Sequence, residues 1–213
     1  MPDLSVEAIG QLSPSELVQL VEQLDPADAA LQDVDIDAIA RQIDPAKLKG
    51  DEFVRLIAGM QRLSGAAVDV TKMGPQTFAR LISGAAKDQL EKVLLHQDLR
   101  DLILGEIFRR MQTHLRVDKA ANVNAVVHWR FSGGADEDGY DRYETVISKG
   151  TCVVTKEKTS DARVTITMPP QDFLKLVTSN ASAPVLFMTG KLKVRGDLAF
   201  AAGLLSLFDL PKP

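Results

Sequence analysis

The side chains that could do chemistry in this chain are few and widely separated. Its three histidines, His96, His114 and His128, lie far apart in the sequence, and the last two fall on polar faces of predicted elements. A zinc site or a proton-transfer pair needs partners at close spacing on one helix or strand, and these residues do not have them. We therefore interpret the histidines as surface residues.

The remaining candidates for a metal site or a nucleophile are a run of aspartates and one cysteine. Residues 33–37 place aspartate at every second position, as a calcium loop begins, but Ala38 stands where that loop needs glycine and Asp44 where it needs glutamate. Helix capping explains the aspartates better. Cys152 has neither a helix N-terminus nor a histidine beside it to activate the thiol, so we expect it in the core.

The sequence motifs of common catalytic sites are also missing. The chain contains no phosphate-binding GxxxxGK[ST] loop, no GxSxG nucleophile elbow and no HExxH zinc helix. We therefore predict no catalytic residue, no metal site and no cofactor, and hence a protein that is not an enzyme.

Composition limits the remaining classes of function. The chain has 213 residues, of which 45% are apolar and 25% charged, so it can bury a substantial core. Its formal net charge of -4 argues against nucleic-acid binding. No run approaches the roughly 18 apolar residues that a membrane span needs, and the N-terminus lacks the basic start and apolar core of a secretory signal. These features predict a cytoplasmic protein without a membrane span.

Helical signals fill residues 1–98. Ser13 to Glu16 combine a hydroxyl cap, a proline at the first helical position and a returning glutamate, which together predict a helix start. This region has 16 acidic and 9 basic residues, whereas residues 99–213 have 13 and 16. An acidic all-helical region leaves three roles open: a surface for a protein partner, a contact across a homodimer, or a solvated face.

Two pairs of segments within this region have similar sequences. Residues 20–27 match 39–46, and residues 53–59 match 78–84. Their starts are irregularly spaced, so they do not form a solenoid of fixed period. Convergent amphipathic spacing explains them more simply than duplication.

The second half of the sequence combines helical and strand patterns. Residues 99–117 form the longest predicted helix, and after four strands come a helix that follows Pro170, a strand over 191–195 and a helix over 198–208. The four strands are 123–131, 143–148, 152–154 and 164–168. Because every strand has one apolar side, we predict a mostly antiparallel sheet that is covered on one face.

The predicted last helix is unusual because only Gly203 and Ser206 interrupt its apolar surface. A surface helix normally keeps a polar stripe. We therefore expect residues 198–208 to be hidden nearly all round. They would be core, a subunit contact, or part of the lining of a cavity for an apolar ligand.

The segment before this helix, Phe187-Met188-x-Gly190-Lys191-Leu192-Lys193-Val194-x-Gly196-Asp197, joins a turn to an alternating strand. Followed by an Ala/Leu helix, it resembles the C-terminal signature of the sterol carrier protein type 2 family, the non-specific lipid-transfer domains. The order of elements over residues 99–213 is similar to that family, whereas residues 1–98 lie outside the resemblance. The resemblance implies an α+β fold, in which helices cover one face of a five-stranded, mostly antiparallel sheet and flank an apolar tunnel gated by the last helix.

Resemblance and composition together favour a non-catalytic carrier of a sterol, fatty acid or fatty acyl thioester. Removal of hydrocarbon from water would supply the affinity, at about 25 cal/mol per Å² of apolar surface. For the lipid-binding surface we predict large apolar residues, although for each one singly a plain core role is the alternative. They are Phe108, Met111, Trp129, Ile147, Phe173, Leu176, Phe187, Met188, Leu192, Phe200, Leu204 and Phe208.

Two other classes of function also fit the sequence. In the first, the protein is a structural or adaptor module whose own side chains fill the pocket and whose acidic helical region binds an enzyme of lipid metabolism. In the second, it is accessory to an enzyme, with Lys191, Lys193 and Arg195 binding a phosphate or coenzyme A group. For those three cations a solvated strand face is the simpler explanation.

Overall fold

A computed structural model describes residues 4–28, 31, 34–64 and 69–210 of the chain. Within these ranges the chain divides into two compact units, the first ending at Leu102 and the second beginning at Ile103. In the same ranges, no helix combines the length and the apolar character that crossing a membrane requires.

Every regular element described in the first unit is a helix or a 3-10 turn, as predicted. Its helices are α1 (Val6–Gly10), α2 (Pro14–Gln23), α3 (Ile36–Gln42), α4 (Gly50–Ser64), α5 (Pro75–Gly84), α6 (Lys87–Leu95) and the start of α7 (Gln97–Thr113), with 3-10 turns at Pro45–Lys47 and Val70–Lys72. Helix α1 packs on α3, α2 on α4, α3 on α5, and α4 on α6. Each of these helices buries apolar residues, as expected for amphipathic helices.

Helix caps confirm the start signals of the first unit. The Glu16 carboxylate accepts a hydrogen bond from the Ser13 N–H at 2.8 Å, and the Ser13 hydroxyl accepts one from the Glu16 N–H. The Asp35 side chain caps α3, which confirms capping for this aspartate, whereas Asp33 lies outside the described residues. The break between α5 and α6 was not predicted, and there the Gln89 side chain accepts from the Ala86 N–H at 2.6 Å.

The similar segments 20–27 and 39–46 end their helices in the same way. Arg62 donates hydrogen bonds to the carbonyls of Val21 and Leu24, at 2.9 and 2.8 Å. Arg80 donates to two carbonyls at the end of α3, at 2.7 and 2.8 Å. Each arginine thus donates to carbonyls at the C-terminal end of a helix and places a cation at the negative end of the helix.

The second unit has the α+β fold that the sequence predicts. After the end of α7 it contains α8 (Val117–Ala120), β1 (Asn124–Ser132), β2 (Tyr140–Ser148), β3 (Thr151–Thr155), β4 (Val164–Met168), α9 (Pro170–Val177), α10 (Ala183–Met188), β5 (Lys193–Gly196), α11 (Leu198–Gly203) and a 3-10 turn (Leu204–Leu207). The five strands are ordered β3-β2-β1-β4-β5. Strands β1 and β4 are parallel and the other three pairs antiparallel, so the sheet is mostly antiparallel.

One face of this sheet is buried, as the alternating pattern indicates. Val127, Trp129 and Phe131 of β1 are all buried, whereas His128 and Arg130 between them are partly exposed. Alternate residues of a strand point to opposite faces, so the odd-numbered positions of β1 face the helices.

The C-terminal elements differ from the prediction. Strand β5 begins two residues later than predicted, and the helix α10, at Ala183–Met188, was not predicted. The last helix is short and gives way to the 3-10 turn. The expectation that residues 198–208 are hidden nearly all round is wrong for α11, which has no buried residue and whose Leu198 is 54% exposed. Beyond α11, Leu204, Leu207 and Phe208 are buried.

Gly196 gives a test of how β5 is held at the sheet edge. Its φ is +102°, and an added Cβ would lie 2.4 Å from the Arg163 carbonyl oxygen, whereas Gly190, at φ +72°, has open space. Gly190→Ala should lower the free energy of unfolding by about 1–2 kcal/mol, because alanine disfavours the left-handed backbone. Gly196→Ala should lower it further, because its Cβ would also clash with the Arg163 carbonyl oxygen. Urea unfolding followed by fluorescence of the single tryptophan, Trp129, measures both variants. Equal losses of unfolding free energy for the two variants would contradict this account.

Candidate functional site

The candidate site is a cavity of about 270 Å³ in the second unit, between the buried face of the sheet and the helices α9, α10 and α11. Every side chain that lines it is apolar. The lining residues are Trp129, Ile166, Met168, Leu176, Ala183, Pro184, Phe187, Leu192, Val194, Leu198, Ala201, Ala202, Leu204 and Leu205. These side chains offer no hydrogen-bond partner to a water molecule or a polar ligand inside the cavity.

Three adjacent strands form the floor of the cavity. Trp129 of β1 is paired with Ile166 of β4, and Ile166 is paired with Val194 of β5. Residues paired in this way lie side by side on one face of a sheet. The parallel pairing of β1 with β4 therefore brings three residues from distant parts of the sequence into one row.

Small residues of the short helices form the roof. Ala183 and Pro184 begin α10, and Ala201 and Ala202 belong to α11. An alanine methyl group reaches only a short way from its helix, so these side chains cannot fill the space above β4 and β5. The void is thus a consequence of side-chain size at these positions.

An aromatic cluster closes the cavity on the side of β1 and β2. Phe108 of α7 stacks on Tyr143 with ring centroids 4.2 Å apart and on Phe173 of α9 at 5.5 Å. Trp129 and Phe131 pack against Phe173 at 5.4 and 4.9 Å. These rings fill the space between helices and sheet, and Trp129 separates the filled side from the empty one.

The structure brings together five of the twelve predicted lipid-binding residues at the cavity: Trp129, Leu176, Phe187, Leu192 and Leu204. The others do not line it. Phe108 and Phe173 belong to the aromatic cluster, and Met111, Ile147 and Phe208 are buried elsewhere in the core. Phe200 lies under the Arg163 guanidinium, 4.3 Å from it, and Met188 is 79% exposed. Contact of any of them with a lipid remains a prediction.

The sequence reasoning did not select the other lining residues. Ile166, Met168 and Val194 have the alternation that places them on the apolar face, but only the strand pairing shows that they adjoin Trp129. Ala183, Ala201 and Ala202 could not be predicted, because a small apolar residue in a sequence does not distinguish a cavity lining from any other position.

The cavity opens to solvent among four lining residues that are exposed, Pro184, Phe187, Leu198 and Ala202. Of these, Phe187 and Leu198 are the large apolar residues at the mouth, 46% and 54% exposed. Inside, the indole N–H of Trp129 donates to the Thr145 hydroxyl at 3.0 Å, which leaves no need for a polar ligand at that point. The site can therefore hold hydrocarbon, but its lining offers no polar side chain to a head group.

Charged groups lie on the opposite face of the sheet. The buried Glu144 carboxylate accepts hydrogen bonds from the N–H groups of Thr159 and Ser160, at 3.0 and 3.1 Å, and its Oε2 lies 3.0 Å from Nε2 of His128. His128 is more buried than predicted, because the β3–β4 loop covers this part of the face. Burial alone would raise the pKa of Glu144, but hydrogen bonds from Thr159, Ser160 and His128 outweigh it and lower the pKa below its ordinary value.

The described residues contain no cluster of three or more His, Cys, Asp or Glu side chains that could hold a metal ion. Cys152 is buried, which confirms its predicted place in the core, and it does not line the cavity. Burial raises the pKa of its thiol to about 11, so the thiol is protonated near neutral pH.

Geometry thus defines the second unit as an α+β domain with a cavity that is lined by apolar side chains and open to solvent. Residues 104–209 match the model of the SCP-2 sterol transfer family, and these residues form a domain of that family. The match begins beyond the first unit.

Individual relatives share only part of their length with this chain. Human hydroxysteroid dehydrogenase-like protein 2 is 31% identical over 119 residues, which are 56% of this chain and 28% of that protein. A fatty acid-binding protein of Yarrowia lipolytica is 34% identical over 88 residues, 40% of this chain and 65% of the relative. The structure of sterol carrier protein 2 from Yarrowia lipolytica in its apo form is 26% identical and covers 48% of this chain and 86% of its own, with a TM-score of 0.41. The chain spans well under a third of the human relative.

The protonated thiol of Cys152 should be unreactive in the folded protein. Because a thiol reacts through its thiolate, iodoacetamide at pH 8 should leave the native chain unmodified and label it fully after denaturation in urea. Mass spectrometry of the intact chain before and after denaturation measures both. Complete labelling of the native protein would show that the thiol is accessible and ionised.

The lowered pKa of Glu144 predicts a pH-dependent contribution to stability. A carboxylate with a folded-state pKa below its ordinary value of 4.5 stabilises the fold above that pH, and this contribution is lost as the pH falls through the folded-state pKa. Glu144→Gln should therefore cost about 1–3 kcal/mol at pH 7, since its amide would face N–H donors. The difference from wild type should shrink below about pH 4.5.

Urea unfolding at several pH values measures this effect. The control is Glu157→Gln, which removes an exposed carboxylate from the β3–β4 loop. A Glu144→Gln loss that stays constant down to pH 3 would contradict the assignment.

Proposed function

We propose that the second unit binds the hydrocarbon chain of a fatty acid or fatty acyl compound in the cavity and carries it without chemical change. The observation that supports this most directly is the cavity itself, which is wholly apolar and open at one end. Family membership supports lipid binding or transfer as the general activity. The choice of a fatty acyl chain, and of a carrier rather than a catalyst, is our inference.

Cavity volume favours a chain over a sterol. An apolar cavity of about 150 Å³ binds benzene, which has six carbon atoms. In proportion, the 270 Å³ found here corresponds to roughly eleven carbon atoms of a ligand. A flexible chain of that length would fit, whereas a rigid four-ring sterol exceeds the space and would be held only in part.

The apolar lining also determines what the site can distinguish. With no polar side chain in the lining, a carboxylate, an ester or a thioester would have to remain at the mouth, near Phe187 and Leu198. Each enclosed methylene should contribute about 0.8 kcal/mol, or roughly a fourfold change in affinity. Chain length would therefore set affinity, and the head group would have little effect.

A second candidate is an accessory module that presents an apolar substrate to an enzyme. Its support is that a relative named hydroxysteroid dehydrogenase-like protein 2 is much longer than the segment that matches this chain. The acidic first unit would then be the surface that contacts the enzyme. Native mass spectra of the purified protein separate the candidates, because a carrier retains lipid by itself and an adaptor retains a protein.

A series of fatty acids tests the proposed site. Displacement of a fluorescent fatty acid by saturated acids of 8 to 18 carbons should show the dissociation constant falling about fourfold per methylene and levelling off at about eleven or twelve carbons. The levelling follows because further methylenes would lie outside the cavity. Equal affinity for every chain length, or no displacement at all, would reject the proposal.

Variants of α11 connect this binding to the cavity. Ala201 lines the cavity, and the exposed Ala199 on the same helix does not. A phenyl ring needs about 150 Å³, so Ala201→Phe should occupy about half of the space and move the levelling point to a chain roughly six carbons shorter. Ala199→Phe should leave the series unchanged. If the two variants behaved alike, the lipid would bind elsewhere.

A further inference from the structure

Trp129 forms the end of the cavity that is far from the mouth residue Leu198. The floor residues Trp129, Ile166 and Val194 run from β1 across β4 to β5, and Leu198 begins α11 just after β5. Trp129 is buried, whereas Leu198 is exposed. A chain that enters beside Leu198 and crosses the floor therefore meets the indole last.

Aromatic rings fill the space behind the indole. Between ring centroids, Phe173 of α9 lies 5.4 Å from Trp129, and Phe108 of α7 packs edge-on against it at 5.7 Å. Both phenylalanines are buried, and neither lines the cavity. The indole is thus the boundary between the cavity and a filled part of the same layer.

A buried hydrogen bond holds this boundary in place. Thr145 of β2 is fully buried, and its hydroxyl accepts the indole N–H of Trp129 at 3.0 Å. Thr145 is paired with Val127 of β1, so it lies on the same face of the sheet as Trp129. The bond directs the indole N–H towards β2 and away from β4 and β5, which carry the rest of the cavity floor.

Packing alone would fix the indole less closely than this bond does. A ring that turns about its bond to Cβ keeps its volume, but its N–H would lose Thr145 and remain buried without a partner. An unpaired donor is costly in an apolar interior, so the hydrogen bond selects one orientation of the ring. Valine has nearly the shape of Thr145 but could not accept this bond.

We infer that Trp129 limits the length of the bound hydrocarbon chain and that Thr145 is its positioning residue, an inference that rests on the proposed function. With the indole held in place, a chain that fills the cavity ends against it. Further methylenes then stay in water and add no affinity. The chain-length limit, at which affinity stops rising with added carbons, is set by this one side chain.

Shortening the end wall should admit longer chains. Trp129→Leu removes about six non-hydrogen atoms, so in the fatty acid displacement series the limit should move to chains longer by as many as about six carbons. Phe173→Leu is the control. It also removes part of a buried ring, but the freed space lies behind the held indole, so the limit should stay unchanged.

The role of Thr145 is tested on the Phe173→Leu background. Thr145→Val should free the indole to turn into the space behind it, and the limit should move to chains about two or three carbons longer. Thr145→Ser keeps the hydroxyl and should leave the limit of Phe173→Leu unchanged. If Thr145 acted through its volume instead, serine would have the larger effect, because it is the smaller residue.

NMR of the otherwise unchanged protein measures the hydrogen bond directly. The chain has a single tryptophan, so its indole N–H gives one peak in a proton–nitrogen spectrum. Thr145→Val should move this peak upfield and speed its exchange with D2O by about tenfold or more. Thr145→Ser should leave both close to the wild-type values.

The outcomes separate the length limit from lipid binding itself. An unchanged limit in folded Trp129→Leu overturns the end wall, and a serine effect as large as that of valine overturns the positioning role, while displacement by fatty acids still supports the proposed function. If Trp129→Leu does not fold, equal limits for the two Thr145 variants overturn the inference. No displacement from the wild type rejects the proposed function and the length limit with it.

Discussion

The second unit depends on an uneven filling of the layer between its sheet and its helices. Five aromatic rings, from Phe108 to Phe173, fill that layer over β1 and β2, with centroids 4.2 to 6.1 Å apart. Over β4 and β5 the covering helices present alanines together with larger apolar residues such as Phe187 and Leu204, and a gap remains between these side chains and the sheet. Because interiors are otherwise close-packed, a gap of 270 Å³ is a specific feature of this arrangement.

This arrangement also explains the apolar character of the C-terminal segment. Residues 198–205 face the cavity on one side and solvent on the other. Their apolar side chains line the cavity, and part of the same apolar surface is exposed to solvent. The exposure of Leu198 and Phe187 is thus tied to the same gap that forms the site.

Polar interactions are kept away from the cavity. On the far face of the sheet Glu144 is buried, and hydrogen bonds from the β3–β4 loop hold it ionised. Such a buried charge is stable only when its partners are complete, so it fixes the loop in place. The cavity face, by contrast, carries only apolar side chains where it lines the cavity. One sheet thus combines a hydrogen-bonded polar face with an apolar face.

Local sequence determined most elements of this protein, because their signals lie within a few residues of one another. The capping box at Ser13 and the alternation of Trp129 with its neighbours are examples, and the motif that ends at Asp197 indicated the family. Tertiary structure alone decided the parallel pairing of β1 with β4 and the lining of the site. Alternation assigns a residue to a face but does not name its neighbours, so Phe108 and Ala201 could not be sorted between core and cavity. A void is what side chains fail to fill, and only the assembled layers show where that happens.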